Sequence, residues 1–143
     1  RTLCLGHCGK NHRGKNHRGQ DHYDYKEIWQ LVLQAQLAAE EQIRPGMTGQ
    51  EADAIARDIF CQAGYVDEFG HGLGHGVGLN IHEAPFMSQL SEDVVLQPGM
   101  VFTIEPGLYL PGWGGVRIED IVIMRQNGVE VLTTAQKVPV VPG

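Results

Sequence analysis

Between Asp24 and Ile43, apolar side chains return at three- and four-residue intervals: Ile28, Leu31, Val32, Ala35, Ala38, Ala39 and Ile43, set among Gln, Glu, Ala and Leu. That spacing follows the turn of an α-helix and predicts an amphipathic helix of about twenty residues, halted at Pro45-Gly46. A second helix is signalled by Thr48-Gly-Gln-Glu51, a capping-box pattern, and by the stripe Ala52, Ile55, Ala56, Ile59 and Phe60, ending at Gly64. Both stripes are expected to pack on a sheet as core.

From Gly70 onward the pattern changes to β-branched runs bounded by turn signals. Val101–Ile104, Val116–Met124 and Val129–Thr133 read as strands, separated by Pro98-Gly99, Pro106-Gly107, Pro111-Gly112 and Asn127-Gly128. Two helices followed by several strands predict an α+β domain, with the helices covering one face of a mostly antiparallel sheet.

The chain's 143 residues allow one domain with a real core, and 42% apolar content with only 7 prolines excludes a disordered or collagen-like chain. No apolar run approaches the roughly 18 residues of a membrane helix, so no membrane partner is expected. No secretory signal is visible near Arg1, and three cysteines make no disulfide framework, so a reducing, cytoplasmic location is expected. Residues 1–26 hold six of the 11 basic side chains and two of the 17 acidic ones, leaving the front at +4 and the remainder at −10. So acidic a body is a poor match for nucleic-acid phosphates.

The basic front contains a direct repeat, Lys10-Asn-His-Arg-Gly14 and Lys15-Asn-His-Arg-Gly19, and across this stretch His7, His12, His17 and His22 fall every five residues. A five-residue interval fits neither helix nor strand, so these imidazoles do not share a face. A metal- or anion-binding tract is one reading; a flexible duplicated insertion is the simpler one. Cys4 and Cys8 with His7 form at most a weak soft-metal signal. Residues 1–23 are taken as a tail or insertion and residues 24–143 as the domain.

Glycine, at 19 residues, is concentrated in Gly70-His-Gly-Leu-Gly-His-Gly-Val-Gly78. If that segment is extended, His71, Leu73, His75, Val77 and Leu79 share one side and bare backbone lies on the other. Alternate glycines mark close approach by a ligand or by another backbone. No strand-turn-helix context follows, which excludes a dinucleotide fingerprint. His82-Glu83 follows closely, and three imidazoles within twelve residues of a tight segment point to function. Glu105 ends an apolar strand just before Pro106-Gly107, and Glu119 lies inside the apolar run Val116–Met124. A carboxylate there is costly unless it is paired or metal-bound; alternatively Glu119 faces water or pairs with Arg117. Histidine with two glutamates suits Mn²⁺, Co²⁺ or Zn²⁺.

His71-Gly-Leu-Gly-His75, Gly76-Val-Gly-Leu79, His82-Glu-Ala-Pro85, Pro98 to Gly107 and Gly115-Val-Arg-Ile-Glu-Asp120 resemble the metallopeptidases of the pita-bread (creatinase/aminopeptidase) fold. The last motif, with Tyr109–Gly112, is more similar to the Xaa-Pro aminopeptidase and Xaa-Pro dipeptidase branch than to the methionine aminopeptidases. The resemblance spans roughly residues 24–134. It implies helices on a curved, mostly antiparallel sheet, and metal-assisted hydrolysis of the bond before proline by an activated water.

Residue by residue, the resemblance implies metal ligands at His75, Glu105 and Glu119, the last bridging two ions. It implies substrate and intermediate contacts at His71 and His82, proton transfer by Glu105, and a supporting role for Arg117. It also implies two further aspartate ligands, in an upstream Asp-x-Gly and Asp-x-Thr segment. The chain is therefore expected to be the C-terminal part of a catalytic domain of roughly 220 or more residues. The implied partner is a peptide with proline in second position. A sheet without its upstream strands has an exposed edge, which invites self-association into a homo-oligomer. The alternative is a non-catalytic peptide- or protein-binding module on the same fold.

Overall fold

The computed structural model describes residues 4–5 and 23–141. Helix α1 spans Tyr25–Gln42 and α2 spans Gly49–Ala63. Asp24 caps α1 by accepting hydrogen bonds from the backbone N–H groups of Lys26 and Glu27, which have no partner inside the helix. The expected capping box closes α2: the Thr48 hydroxyl accepts from Glu51 N at 3.1 Å, and the Glu51 carboxylate accepts from Thr48 N at 2.7 Å. Gly64 ends α2 at φ +78°, a left-handed conformation that costs glycine no Cβ clash. The buried face of α1 is Ile28, Trp29, Val32, Ala35, Gln36 and Ala39, so the apolar stripe also contains one glutamine.

A five-stranded antiparallel sheet forms the second layer, in the order β3-β2-β4-β7-β8. Its strands are β2 Gly74–Gly76, β3 Glu83–Met87, β4 Val101–Ile104, β7 Asp120–Arg125 and β8 Gly128–Val131. Strands β5 Gly107–Leu110 and β6 Gly114–Arg117 form a separate antiparallel pair, and β1 Cys4–Leu5 runs parallel to β9 Val140–Val141. Phe60, Phe102, Ile104, Leu108 and Val122 are fully buried between helices and strands. Each such side chain contributes about 1.5–3 kcal/mol of transfer free energy, which exceeds most local propensities. Among the described residues, no helix is long and apolar enough to cross a membrane. The His-containing repeat and the Cys8 and His7 side chains lie outside the described residues.

Two expectations are corrected. The run Val116–Met124 is not one strand. β6 pairs with β5 in the register Gly107↔Arg117, the chain passes Ile118-Glu119, and β7 then pairs with β4 in the register Ile104↔Asp120. Opposite that break lies Glu105-Pro106, where proline has no N–H to continue the ladder, so both chains change partners at one level. Nor does the glycine-rich segment keep one face. Only Gly74–Gly76 is strand, and Leu73 is buried in the core while His71 and His75 face a cavity. The chain bends before β2, and the free energy of burying Leu73 outweighs a regular alternation.

Candidate active site

The break between the two sheets places Glu105 and Glu119 on neighbouring chains, because each is the residue at which its strand changes partner. A cavity of about 390 Å³ opens beside them, lined by His71, His75, His82, Phe86, Glu105 and Arg117, with further walls from β3. Five of the six side chains singled out from the sequence thus share one cleft. The sixth, Glu119, reaches it through Arg117, whose Nη2 lies 3.4 Å from Glu119 Oε2 and whose Nε lies 3.6 Å from Glu105 Oε2. The alternative pairing of Glu119 with Arg117 is therefore present, and Glu119 lies between strands.

The alternate glycines are explained by backbone contact. A Cβ at Gly72, Gly74 or Gly76 would strike the main-chain carbonyl of Met87, Thr103 or Ala84 respectively. These glycines let β2 settle tightly between β3 and β4, and so bring His75 against Glu105.

Hydrogen bonding assigns the imidazoles. His75 Nδ1 lies 3.0 Å from the Gly76 carbonyl, which can only accept, so Nδ1 carries a hydrogen. Its Nε2 then faces Glu105 Oε1 at 3.1 Å. His71 Nδ1 likewise donates to the Gly72 carbonyl at 2.7 Å, and its Nε2 meets the Tyr109 hydroxyl at 3.1 Å. His82 stacks obliquely on His75, with ring centroids 4.2 Å apart. Arg117 is held above its ordinary pKa by its hydrogen bond to the Tyr109 oxygen, with help from the Glu119 and Glu105 carboxylates against the cost of burial. It stays cationic beside both carboxylates.

Two site residues escaped the sequence reading. Thr103 donates its hydroxyl hydrogen to Glu105 Oε1 at 2.9 Å and accepts from His75 N at 3.0 Å. Its signal was a polar residue two positions before Glu105 in an apolar strand, hence on the same face. Tyr109 links His71 with Arg117; it stands in the Tyr109–Gly112 motif, whose pattern assigns it no site role.

Among the described residues, no three His, Cys, Asp or Glu side chains come together as a metal-holding group. What converges is a pair. His75 Nε2 faces a carboxylate oxygen at 3.1 Å, a contact satisfied either by a hydrogen on Nε2 or by a metal ion held between the two atoms. About 3 Å is also the separation of two ligand atoms that each lie about 2.1 Å from an ion with octahedral, right-angle spacing. The pair fits one edge of a coordination shell, and the described residues do not complete that shell.

The family model of metallopeptidase family M24 matches residues 1–126. The chain belongs to metallopeptidase family M24. As M24 members are metallopeptidases, divalent metal ions belong to the family's chemistry, which agrees with the donor pair above. The Xaa-Pro dipeptidase of Pyrococcus furiosus is 54% identical over 112 residues, covering 78% of this chain and 32% of the relative. The solved Xaa-Pro dipeptidase from Bacillus anthracis superposes with a TM-score of 0.80 at 49% identity, covering 85% of this chain and 34% of that one. The X-Pro aminopeptidase from Thermotoga maritima gives 0.77 at 42% identity, with 80% and 32% covered. This M24 chain thus spans about a third of the length of the curated relatives it matches. The α+β pita-bread architecture expected from the motifs is the one observed, over the part of the fold that the chain contains.

Proposed function

We propose that the protein to which this chain contributes is a metal-dependent peptidase that cleaves the bond before proline in Xaa-Pro peptides. The observation that carries this reading is the convergence of His71, His75, His82, Glu105 and Arg117 on one cavity, in an M24 chain about half identical to Xaa-Pro dipeptidases.

In this reading His75, Glu105 and Glu119 hold the metal, together with donors outside the described residues. The site's N and O donors favour Mn²⁺, with Co²⁺ or Zn²⁺ as substitutes. A bound divalent ion supplies Lewis acidity, lowering the pKa of a water and polarising the scissile carbonyl. The chain's own residues do the rest. Thr103 and the Gly76 carbonyl orient Glu105 Oε1 and His75 Nε2 as donors. Glu105 Oε2, turned away from Thr103, takes the proton of the attacking water. Arg117 offsets the repulsion between Glu105 and Glu119, which lets both stand at one break in the sheet. His71 and His82, which both line the cavity, contact the substrate and its developing oxyanion. The compartment proposed is the cytoplasm, and the partners are Xaa-Pro peptides and a second copy of the protein.

The test is hydrolysis of Xaa-Pro dipeptides and of longer Xaa-Pro peptides by the Mn²⁺-loaded protein, with His75→Ala and Glu119→Gln variants. Both substitutions should lower kcat/KM at least about 100-fold. Cleavage that survives both would overturn the site, and peptide binding without cleavage would favour a binding module.

A further inference from the structure

We infer that Asp53 and Arg57 on α2 are positioning residues for His71, acting through the main chain on either side of it. The inference rests on the proposed catalytic role of His71 and adds residues outside the cavity to that site.

Asp53 is almost wholly buried and forms a two-pronged ion pair one helical turn along, from Arg57 Nε to Oδ2 at 2.7 Å and from Nη2 to Oδ1 at 3.1 Å. A buried ion pair is a poor device for stability alone, because desolvation offsets most of its attraction and apolar side chains of similar volume serve as well or better. What the pair adds is direction. Arg57 Nη1 donates to the Phe69 carbonyl at 3.0 Å and Nη2 to the His71 carbonyl at 2.9 Å, while Asp53 Oδ1 accepts from Leu73 N at 2.9 Å. Three polar groups of one loop, at residues 69, 71 and 73, are thereby pinned to a single pair on a rigid helix. With its amide oxygen facing the guanidinium, Gln89 also accepts from Arg57 Nη1 at 3.2 Å. Gln89 directly follows Ser88, which lines the cavity.

A second line of contact reaches the ring itself. The Arg57 guanidinium lies 4.3 Å from the centroid of the Phe69 ring, and Phe69 meets His71 edge-on at 5.1 Å. The imidazole thus meets both Phe69 and Tyr109 at steep interplanar angles, with its Nδ1 hydrogen committed to Gly72. Arginine suits this task because its planar fork serves the carboxylate and two carbonyls at once, which a lysine ammonium on a flexible stem does not.

Arg57→Lys separates positioning from plain stabilisation, because it keeps the charge opposite Asp53 and loses the fork. The full 143-residue chain, ¹⁵N-labelled, is read by long-range ¹H–¹⁵N correlation of its imidazoles. The wild type should show His71 as a single tautomer protonated at Nδ1. Arg57→Lys should retain the thermal midpoint within a few degrees, average the His71 signals and leave His75 unchanged. In the Mn²⁺-loaded protein it should lower kcat on the order of 10- to 100-fold with little change in KM. A wild-type His71 spectrum in Arg57→Lys, or recovery of kcat together with stability, overturns the inference. If Arg57→Lys does not fold, amide exchange of the wild type decides. Protection of Leu73 N–H equal to that of β4 supports the inference, and loop-like exchange overturns it. A responsive His71 spectrum in a protein that cleaves no Xaa-Pro peptide would refute the proposed function and leave the positioning intact.

Discussion

His75 Nε2 lies 3.1 Å from Glu105 Oε1, and the Thr103 hydroxyl sits 2.9 Å from that same oxygen while accepting the backbone N–H of His75 at 3.0 Å. One buried threonine on β4 therefore holds both members of the donor pair, one by its side chain and the other by its main chain. Thr103→Val keeps the shape and removes both bonds. Mn²⁺ affinity should fall about 10–100-fold, as is typical for loss of a group that orients a ligand. Stability should drop by about 1–3 kcal/mol for the unsatisfied buried N–H. Calorimetric titration and urea unfolding measure the two effects, and unchanged affinity would remove Thr103 from the site.

The fit of β2 between its neighbours makes Gly74 intolerant of a side chain. In Gly74→Ala the new methyl meets the Thr103 carbonyl, which is backbone and cannot swing aside. Separation of β2 from β4 should cost about 1–3 kcal/mol, and the His75–Glu105 approach should loosen with it. Gly46→Ala serves as a contrast, since Gly46 has open space around it but sits at φ +92° and is strained for conformational reasons alone. It should lower stability and leave Mn²⁺ affinity unchanged.

Beneath the site, Lys137 Nζ lies 2.7 Å from Asp120 Oδ2 and 2.8 Å from Glu40 Oε1, while Gln36 Nε2 donates to Asp120 Oδ2 at 3.2 Å. Asp120 has no exposed side-chain surface. Lys137→Met removes the cation that faces both this buried carboxylate and Glu40, and should cost about 3–5 kcal/mol. A loss below about 1 kcal/mol in urea unfolding would mean that Asp120 is neutralised by another route.

Glu40 carries a pH signature. Burial raises its pKa above the ordinary 4.5, with the Asp120 charge adding to the rise and Lys137 opposing it. The folded state therefore binds this proton more tightly than the unfolded chain does. Its contribution to stability is full below pH 4.5 and is lost as pH rises through the folded value. The stability of the wild type relative to Glu40→Gln should accordingly fall with rising pH across that window. A flat difference curve in urea unfolding would refute it.

Much of the helical half was legible in local pattern. Thr48, Glu51 and Gly64 act within one turn of their own residues, so their roles follow from neighbours in sequence. The metal-compatible residue types were legible too, because His71, His75, Glu105 and Glu119 stand in short motifs whose chemistry survives without coordinates. The split of Val116–Met124 was not legible. β-branched content says that a segment extends, and not which partner it extends along. Leu73 deceived for a similar reason, since alternation holds only while the backbone stays straight.

By itself, the sequence determined the two helices with their caps, the α+β class, the family and the residue types available for chemistry, all of which depend on spacing along one chain. Only the tertiary structure decided that β4–β5 and β6–β7 change partners at one level, setting Glu105 and Glu119 side by side with Arg117 between them. It alone showed that the glycine run admits neighbouring backbone, and that Thr103, Tyr109, Asp53 and Arg57 reach the cavity's residues or the loop that carries them from other elements. The reason is physical. Those contacts join residues far apart in the chain, and their geometry exists only once the core around Leu73, Phe102 and Ile104 has closed.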